Sequence, residues 1–183
     1  MTEALKATVA TLRESEIPFL VGGSLAAWAR GGPEPQKDLD VMVKPDDADR
    51  ALQALEQAGM RTERPPEGWL YKAWHGEAMI DVIFEPEGLP MTEEVFKRAE
   101  TMSVLSLPTP VMALEDVLLT KLNALDEHAL DYTSLLAMAR ALREQIDWAQ
   151  LRERAGESPY AKAFFTLVEE LGVVPTTASE PSV

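Results

Sequence analysis

Two aspartates separated by one residue, Asp38 and Asp40, are the side chains that most directly indicate chemistry in this sequence. They begin the run Asp-Leu-Asp-Val-Met-Val, whose composition is typical of a strand with one face in the core. Side chains at i and i+2 of a strand share a face, so the two carboxylates point together. Because neighbouring carboxylates repel each other, the pattern indicates a cation between them, and Mg²⁺ prefers such oxygen ligands.

A Gly22-Gly23-Ser24 turn stands upstream of these aspartates, directly after the apolar residues 19–21. An apolar strand that enters a glycine pair and then a helix suits phosphate binding, because backbone N–H groups at such a turn point towards an anion. The Ser24 hydroxyl adds a further hydrogen-bonding group. The turn and the two aspartates together predict a Mg²⁺-dependent site that handles a nucleoside triphosphate.

Asp81 is a third carboxylate, placed in the otherwise apolar residues 78–84. Burial makes such a charge costly unless it is paired or bound to a metal. If the two strands are neighbours, the three aspartates form a ligand set for two Mg²⁺ ions about 3.5 to 4 Å apart. In that arrangement Asp38 and Asp40 hold both ions, while Asp81 completes the catalytic one and accepts the proton of an attacking hydroxyl.

Strand and helix patterns alternate around these residues and predict an α/β (α+β) fold with a small mixed sheet and flanking helices. Strands are predicted at residues 19–21, 38–43, 60–64, 69–75, 78–84 and 102–107, the last of them ending before Pro108 and Pro110. Helices are predicted at residues 3–14, 24–30, 45–58, 92–99, 114–125, 129–143, 147–154 and 160–171. The second half of the chain is therefore expected to be helical.

The composition limits the classes of partner. The 183 residues include no cysteine, which excludes disulfides and thiolate metal sites. A formal net charge of −14 disfavours a polynucleotide partner unless a local basic patch or a bound metal opposes the repulsion. The apolar stretches are far shorter than the ~20 residues needed to span a bilayer, and the N-terminus does not resemble a secretion signal. We therefore expect a cytoplasmic protein with no membrane partner.

The order of a Gly-Gly-Ser turn, an Asp-x-Asp pair and a later single aspartate resembles the nucleotidyltransferase superfamily, which has a polymerase beta-like fold. The resemblance covers residues 19–84. It implies a nucleotidyltransferase core, which we place at residues 1–110. The helical pattern predicts a C-terminal helical region at 111–173, and the polar, Pro- and Ser-rich composition predicts a flexible tail at 174–183. The resemblance also implies an enzyme that moves a nucleoside monophosphate from an NTP to an acceptor hydroxyl and releases pyrophosphate.

The residues from Pro110 to Met138 resemble the helical segment of abortive-infection and MenT-type toxin nucleotidyltransferases. Residue by residue, Lys121 takes the position of the lysine of these toxins and Asp131 that of the following aspartate. The resemblance implies that Lys121 contacts the triphosphate and that Asp131 orients Lys121 or contacts the nucleotide. One departure is Gln36, which stands where many relatives carry Ser or Thr, so regulation through that hydroxyl has no target here.

Several alternatives stay open at this level. The acceptor is a tRNA end, as the toxin resemblance implies together with a cognate antitoxin, or a small molecule such as an aminoglycoside or lincosamide, or a protein hydroxyl. A non-catalytic, antitoxin-like nucleotide-binding module is the alternative from another class. Lys121 is otherwise a solvated residue paired with Glu115 or Asp126, and Lys72 is a further lysine that would face the cleft.

Overall fold

Seven short strands form one mixed sheet in the computed structural model, which describes residues 1–35 and 38–174. The strands follow the order β3-β4-β5-β2-β1-β7-β6 across the sheet. In chain order they are β1 Phe19–Val21, β2 Leu39–Val43, β3 Arg61–Glu63, β4 Leu70–His75, β5 Ala78–Ile83, β6 Glu100–Val104 and β7 Leu107–Val111. This sheet with its flanking helices confirms the predicted fold class.

The helices cover the sheet and extend beyond it. They are α1 Thr2–Glu14, α2 Gly23–Ala29, α3 Ala48–Gln57, α4 Glu93–Lys97, α5 Leu114–Asn123, α6 Thr133–Leu142, α7 Trp148–Ala155 and α8 Pro159–Glu170, with a 3₁₀ turn at Pro45–Asp47 before α3. One hydrophobic core includes buried side chains from both halves of the chain, for example Leu20, Val82, Leu118 and Phe164. Within the described residues, no helix combines the length and apolar character needed to cross a membrane.

The pairing of the central strands sets the site. β2 runs parallel to β5, with Asp40 beside Asp81, and antiparallel to β1. β4 runs antiparallel to β5 on the other side, with Lys72 beside Asp81. Residues directly paired across a ladder point to the same face of the sheet. Three charged side chains therefore form a row across β2, β5 and β4, and the predicted proximity of the two aspartate strands is realised by direct pairing.

The sequence missed one strand. Residues 107–111 form β7, which contains Pro108 and Pro110, and the hairpin β6–β7 replaces the single predicted strand at 102–107. Met112 donates its N–H to Val21 O at 2.9 Å, which marks the side of β7 that faces β1. Because N–H groups alternate between the two sides of a strand, both proline nitrogens face that same side, where β1 pairs with β7 only at Val111. The missing N–H groups cost no hydrogen bond of the ladder, so the prolines are tolerated.

The predicted helix at 129–143 starts at the wrong residue, because α6 begins at Thr133. Before it, Asp126 Oδ1 accepts hydrogen bonds from the N–H groups of His128 and Ala129, at 2.7 and 2.9 Å. Asp131 Oδ1 likewise accepts from Thr133 N at 2.8 Å. Aspartate side chains that capture nearby N–H groups favour turns over helix, and this competition delays the helix start.

A buried carboxylate connects α5 with the segments around it. Asp116 is 0% exposed and accepts hydrogen bonds from Arg98 Nε and Nη2 at 3.0 to 3.1 Å. Arg154, on α7, forms a second ion pair with the same carboxylate. A buried carboxylate is stable only when it is paired and hydrogen-bonded in this way. Asp116 therefore fixes α5 against α7 and against the end of α4.

Replacing Asp116 by alanine is expected to lower the free energy of unfolding by about 3 kcal/mol, because two guanidinium groups lose a buried partner. Urea unfolding followed by circular dichroism measures the change. Glu93→Gln is the control, since Glu93 pairs with Lys44 but is 69% exposed, and such surface pairs contribute about 1 kcal/mol at most. Equal losses for the two variants would contradict a structural role for Asp116.

Candidate active site

Asp40 and Asp81 form the centre of the site because the parallel register of β2 and β5 places them side by side. Asp38 directly precedes β2 and is partly buried on the same side as Asp40. Burial raises the pKa of Asp40 to about 6, with the positive charge of Lys121 opposing the shift and the charges of Asp81 and Asp38 adding to it. The structure thus brings the three predicted aspartates into one electrostatic unit.

Asp81 is the second carboxyl group of the site whose pKa is shifted. Burial raises its pKa, the nearby ammonium of Lys72 lowers it, and the charge of Asp38 raises it further. Lys72 Nζ lies 3.4 Å from Asp81 Oδ1, which makes an ion pair but exceeds the usual length of a hydrogen bond. Within the described residues, Asp81 Oδ1 is buried and has no hydrogen-bond donor at normal distance. This oxygen therefore has lone pairs that no donor among the described residues satisfies at normal distance.

The glycine turn packs directly on Asp40. Gly22 donates its N–H to Asp40 O at 2.9 Å, which fixes the turn to β2. Gly23 has a φ of +55°, and a Cβ added there would lie 1.6 Å from Asp40 Oδ2. Only glycine fits this position, because any side chain would both strain the backbone and displace the carboxylate. Ser24 follows at the start of α2 and is buried.

A cavity of about 560 Å³ opens beside Asp40, and we name it the main cavity because it adjoins the aspartates. Side chains from β2, from the end of β5, from α5 and from the loop before β4 line it. They are Gly23, Asp40, Met42, Trp69, Ile83, Glu85, Pro86, Glu87, Thr120, Lys121 and Ala124. The wall therefore carries three carboxylates and one lysine among mainly apolar groups.

Sequence reasoning missed Trp69, Glu85 and Glu87 as parts of this site. Their positions in the chain could have indicated them. The two glutamates lie in the loop after β5, the strand that carries Asp81, and Trp69 directly precedes β4. Trp69 O accepts hydrogen bonds from the N–H groups of Phe84 and Glu85, both at 3.1 Å, and the tryptophan remains 40% exposed. These bonds fix the backbone of Trp69, and the residue lines the cavity.

The loop with the two glutamates is tied to α5. Asn123 Nδ2 donates to Glu87 O at 3.2 Å. Gly88 has a φ of +67°, and a Cβ there would lie 2.2 Å from Asn123 Nδ2, so the loop approaches the helix as closely as a glycine permits. The helix that carries Lys121 thus also supports the acidic wall of the cavity.

Lys121 lines the main cavity, and its charge acts on Asp40. In the described part of the chain, Lys121 has no carboxylate within 4 Å, so the alternative in which it pairs with Glu115 or Asp126 is not observed. Glu115 instead accepts a hydrogen bond from Asp147 N at 2.9 Å. Lys121 is accordingly free to bind an anion in the cavity.

Asp131 lies outside the main cavity. It is exposed, and the hydrogen bonds from Thr133 lower its pKa. It borders a second cavity of about 220 Å³ that Lys121 and Ala124 also line. The two cavities therefore meet at Lys121, and a nucleotide role for Asp131 stays a prediction. Gln36, Lys37 and the predicted tail beyond residue 174 lie outside the described residues.

The residues at the centre suit a divalent cation, although the described chain contains no ready-made cluster of three ligating side chains. The donors are carboxylate oxygens on neighbouring strands, and hard cations prefer such oxygens. The buried Asp81 Oδ1 with no close donor is the clearest single indication. Mutual repulsion of the three aspartates also decreases when a cation binds between them.

Gly23→Ala is expected to lower the rate of nucleotidyl transfer about 100-fold or more, the loss that a displacement of about 1 Å in a catalytic group can cause. The reason is that the added methyl group collides with Asp40. Gly76→Ala is the matched control, since Gly76 has a φ of +63° but nothing within 4 Å of its Cβ position. The control isolates the backbone strain, about 1 to 2 kcal/mol. Steady-state kinetics and urea unfolding of both variants test this, and equal effects on activity would contradict the collision.

The raised pKa of Asp40 predicts a pH dependence of stability. Between the ordinary value near 3.8 and about 6, the folded protein binds more protons at Asp40 than the unfolded chain does. Without divalent cations, this contribution to stability is therefore lost as the pH rises from about 4 through about 6. Urea unfolding in EDTA across this range should show a steeper decline for the wild type than for Asp40→Asn, which cannot titrate there. Parallel profiles would contradict the assignment.

Solved structures with a similar fold include several nucleotidyltransferases. ANT(2″)-Ia in complex with adenylyl-2″-tobramycin matches with a TM-score of 0.63 and 14% identity, over 90% of this chain and 97% of that chain. Lincomycin-bound LnuA, a lincosamide antibiotic adenylyltransferase, matches with a TM-score of 0.55 and 13% identity, over 75% and 94%. An antigenic nucleotidyltransferase-like protein from Paracoccidioides brasiliensis gives a TM-score of 0.55 and 12% identity, over 91% and 87%. At these identities the likeness is evidence of the fold.

The sequence comparison gives the family. The model of a family described as "Uncharacterised nucleotidyltransferase" matches residues 2–169, nearly the whole chain. Comparison with curated proteins gives no significant match. The match confirms the resemblance to the superfamily, while the toxin branch stays a prediction. The chain therefore belongs to this family of nucleotidyltransferases and is an enzyme that transfers a nucleotidyl group from a nucleoside triphosphate.

Proposed function

We propose that the protein transfers a nucleoside monophosphate from a Mg²⁺-bound NTP to a hydroxyl of a cationic small molecule. The observation that carries the proposal is the cavity beside Asp40, whose wall combines an exposed tryptophan and apolar side chains with two further carboxylates, Glu85 and Glu87. A cavity of about 560 Å³ has the size and mixed character typical of a small-molecule site. Its acidic wall would attract a cation.

Asp38, Asp40 and Asp81 would hold Mg²⁺ through their carboxylate oxygens, since these three side chains act on one another electrostatically. When bound, Mg²⁺ supplies charge neutralisation at the phosphates and alignment of the reacting oxygens. The two paired aspartates differ in position. Asp40 lines the cavity, whereas Asp81 lies on the neighbouring strand and is not among the residues that line the cavity.

The remaining groups of the chain seat and balance the nucleotide. The Gly22-Gly23-Ser24 turn lies against Asp40 and would present backbone N–H groups to the terminal phosphates. Lys121 would neutralise negative charge that develops on the phosphates. Asp131 would contact the nucleotide from the second cavity, which adjoins the main one at Lys121.

In the transfer step, the acceptor oxygen forms a bond to the α-phosphorus while the bond from that phosphorus to the α,β-bridging oxygen breaks. Pyrophosphate leaves with that electron pair. The proton of the acceptor hydroxyl would pass to the Asp81 carboxylate, whose side chain stays 16% exposed although Oδ1 is buried. Atoms and charge balance with one NTP and one acceptor as the only reactants.

The acceptor class follows from Glu85, Glu87 and Trp69. Two carboxylates at the end of β5 can pair with ammonium groups, and an exposed indole can stack on a ring or on a cation. Two structures of similar fold hold small molecules: ANT(2″)-Ia is in complex with adenylyl-2″-tobramycin, and the lincosamide antibiotic adenylyltransferase LnuA is bound to lincomycin. This supports a small-molecule acceptor for this chain as well.

A tRNA acceptor with a cognate antitoxin, as the toxin resemblance implies, has less support. The net charge of −14 repels a polynucleotide. Among the residues that line the main cavity, one lysine stands against three carboxylates, so the wall offers no basic patch. A protein hydroxyl as acceptor and the cytoplasmic localisation stay predictions without a further observation.

Incubation of the enzyme with α-labelled NTPs, Mg²⁺ and separate pools of aminoglycosides, lincosamides and tRNA tests the proposal. We expect label in a cationic small molecule and equimolar release of pyrophosphate. Asp40→Asn and Asp81→Asn should lose at least about 100-fold in rate, whereas Asp49→Asn, an exposed residue paired with Arg64, should retain activity.

The acceptor wall has its own test. The double variant Glu85→Gln with Glu87→Gln should raise KM for the cationic acceptor about tenfold, since about 1.4 kcal/mol of attraction corresponds to that factor, and should leave KM for the NTP unchanged. Label that moves to tRNA and to none of the small molecules would overturn the proposed acceptor class.

A further inference from the structure

We propose that Lys72 is a positioning residue that acts as an internal counter-cation for Asp81. Its ammonium group balances this carboxylate until a divalent cation binds and competes with it. The inference rests on the proposed function, because it takes Asp81 as a ligand of that cation. It concerns a residue that lies outside the cavity and that no part of the transfer step above uses.

The register of the sheet fixes the position of Lys72. Lys72 on β4 pairs with Asp81 on β5, and Asp81 pairs with Asp40 on β2. Paired residues share a face of the sheet, so the three side chains form a continuous row, one per strand. The row cannot shift without breaking six residue pairs between β4 and β5, so the lysine is held beside Asp81 by the ladder itself.

The contact between the two charged groups is loose. Lys72 Nζ lies 3.4 Å from Asp81 Oδ1, whereas a close ammonium–carboxylate hydrogen bond measures about 2.7 to 2.9 Å. The same ammonium also lies 3.6 Å from Met79 Sδ, a weak acceptor. Both side chains of the pair are largely buried, at 29% and 16% exposed. Lys72 therefore supplies charge to Asp81 without saturating its oxygen.

The two lysines near the aspartates differ in what they face. Lys121 comes from α5 and lines the main cavity, so it can reach a nucleotide there. Lys72 is not among the residues that line the cavity, although its ammonium is the cation close to Asp81. A lysine that meets the carboxylate but not the cavity affects the reaction through Asp81, which separates a positioning role from direct contact with the phosphates.

The consequence is a trade between the lysine and a divalent cation. With Lys72 in place, the group of aspartates and lysine has a smaller net negative charge than the aspartates alone. The metal-free protein is therefore more stable, and the site attracts a divalent cation less strongly. Without Lys72, the site should bind a divalent cation more tightly, and the metal-free fold should be less stable.

Mn²⁺ alone, without nucleotide, is the probe for the experiment. Titration of the whole chain, followed by the electron paramagnetic resonance signal of free Mn²⁺, gives Kd for wild type, Lys72→Met and Lys72→Arg. We expect Lys72→Met to lower Kd about tenfold, an effect well below the limit for charges at this separation. Lys72→Arg should stay within about twofold of wild type because it keeps the charge.

Lys44→Met is the matched control. Lys44 also pairs with a carboxylate, is similarly buried at 23% exposed, and changes the net charge by the same amount when replaced. Its Kd for Mn²⁺ should equal that of wild type. Thermal unfolding in EDTA should show a lower Tm for Lys72→Met, and saturating Mn²⁺ should close most of that gap.

An unchanged or weaker affinity of Lys72→Met for Mn²⁺ would overturn the proposal, and so would an equal gain in Lys44→Met. If the methionine variant does not fold, Lys72→Gln serves in its place with the same expected gain, since it also removes the charge. The two proposals can fail independently. If no small molecule is labelled but Lys72→Met binds Mn²⁺ more tightly, the proposed acceptor class is wrong and the role of Lys72 stands.

Discussion

The side-by-side placement of Asp40 and Asp81 is the constraint on which the rest of the structure depends. A parallel ladder between β2 and β5 holds the two carboxylates at the same level, where they repel each other in partly buried surroundings. Isolated charges in such a place destabilise a fold unless opposite charge lies nearby. Lys72 from one side and Lys121 from the other supply part of that charge. The strand order and the position of α5 can thus be understood as the means of bringing these cations to the aspartates.

The glycine turn and the buried Asp116 serve the same end at different distances. Gly23 leaves the space that the Asp40 carboxylate occupies, so the turn and the strand fit only as a pair. Asp116 binds two arginines and thereby fixes α5, the helix that carries Lys121. The paired charges of Asp116 and its two arginines thus keep Lys121 in position near the aspartates of the site. The chain therefore combines an unsaturated set of charges for function with a saturated one for structure.

Much of the site could be predicted from the sequence because it lies on local patterns. The alternation around Asp38 and Asp40 and the single charge in the strand of Asp81 are short-range signals, and pairing of these strands follows from an α/β arrangement. The walls of the cavity could not be predicted in this way. Trp69, Glu85 and Glu87 line one cavity with Lys121 only after the sheet and α5 have packed, and no spacing in the sequence indicates that arrangement.

Two errors in the predicted elements have the same origin in groups that compete for backbone hydrogen bonds. Asp126 and Asp131 capture N–H groups that a helix would otherwise use, so α6 starts later than the apolar pattern indicates. The prolines of β7 argued against a strand, because the pairing of β7 with the short strand β1 was not part of the local pattern. Propensity and periodicity describe single segments, whereas the partner across the ladder decides whether a proline is tolerated.

The prolines of β7 also affect how the protein meets other chains. Where a strand lacks a ladder partner, its backbone donors and acceptors can pair with an extended segment of another molecule. Here Pro108 and Pro110 have no N–H to offer on the side that faces β1, and Pro108 O already accepts a hydrogen bond from Arg13 Nη2 at 2.5 Å. A foreign strand would find no N–H at either proline, and the carbonyl of Pro108 is already occupied. The side of β7 that faces β1 therefore offers little for an extended segment of another molecule to pair with.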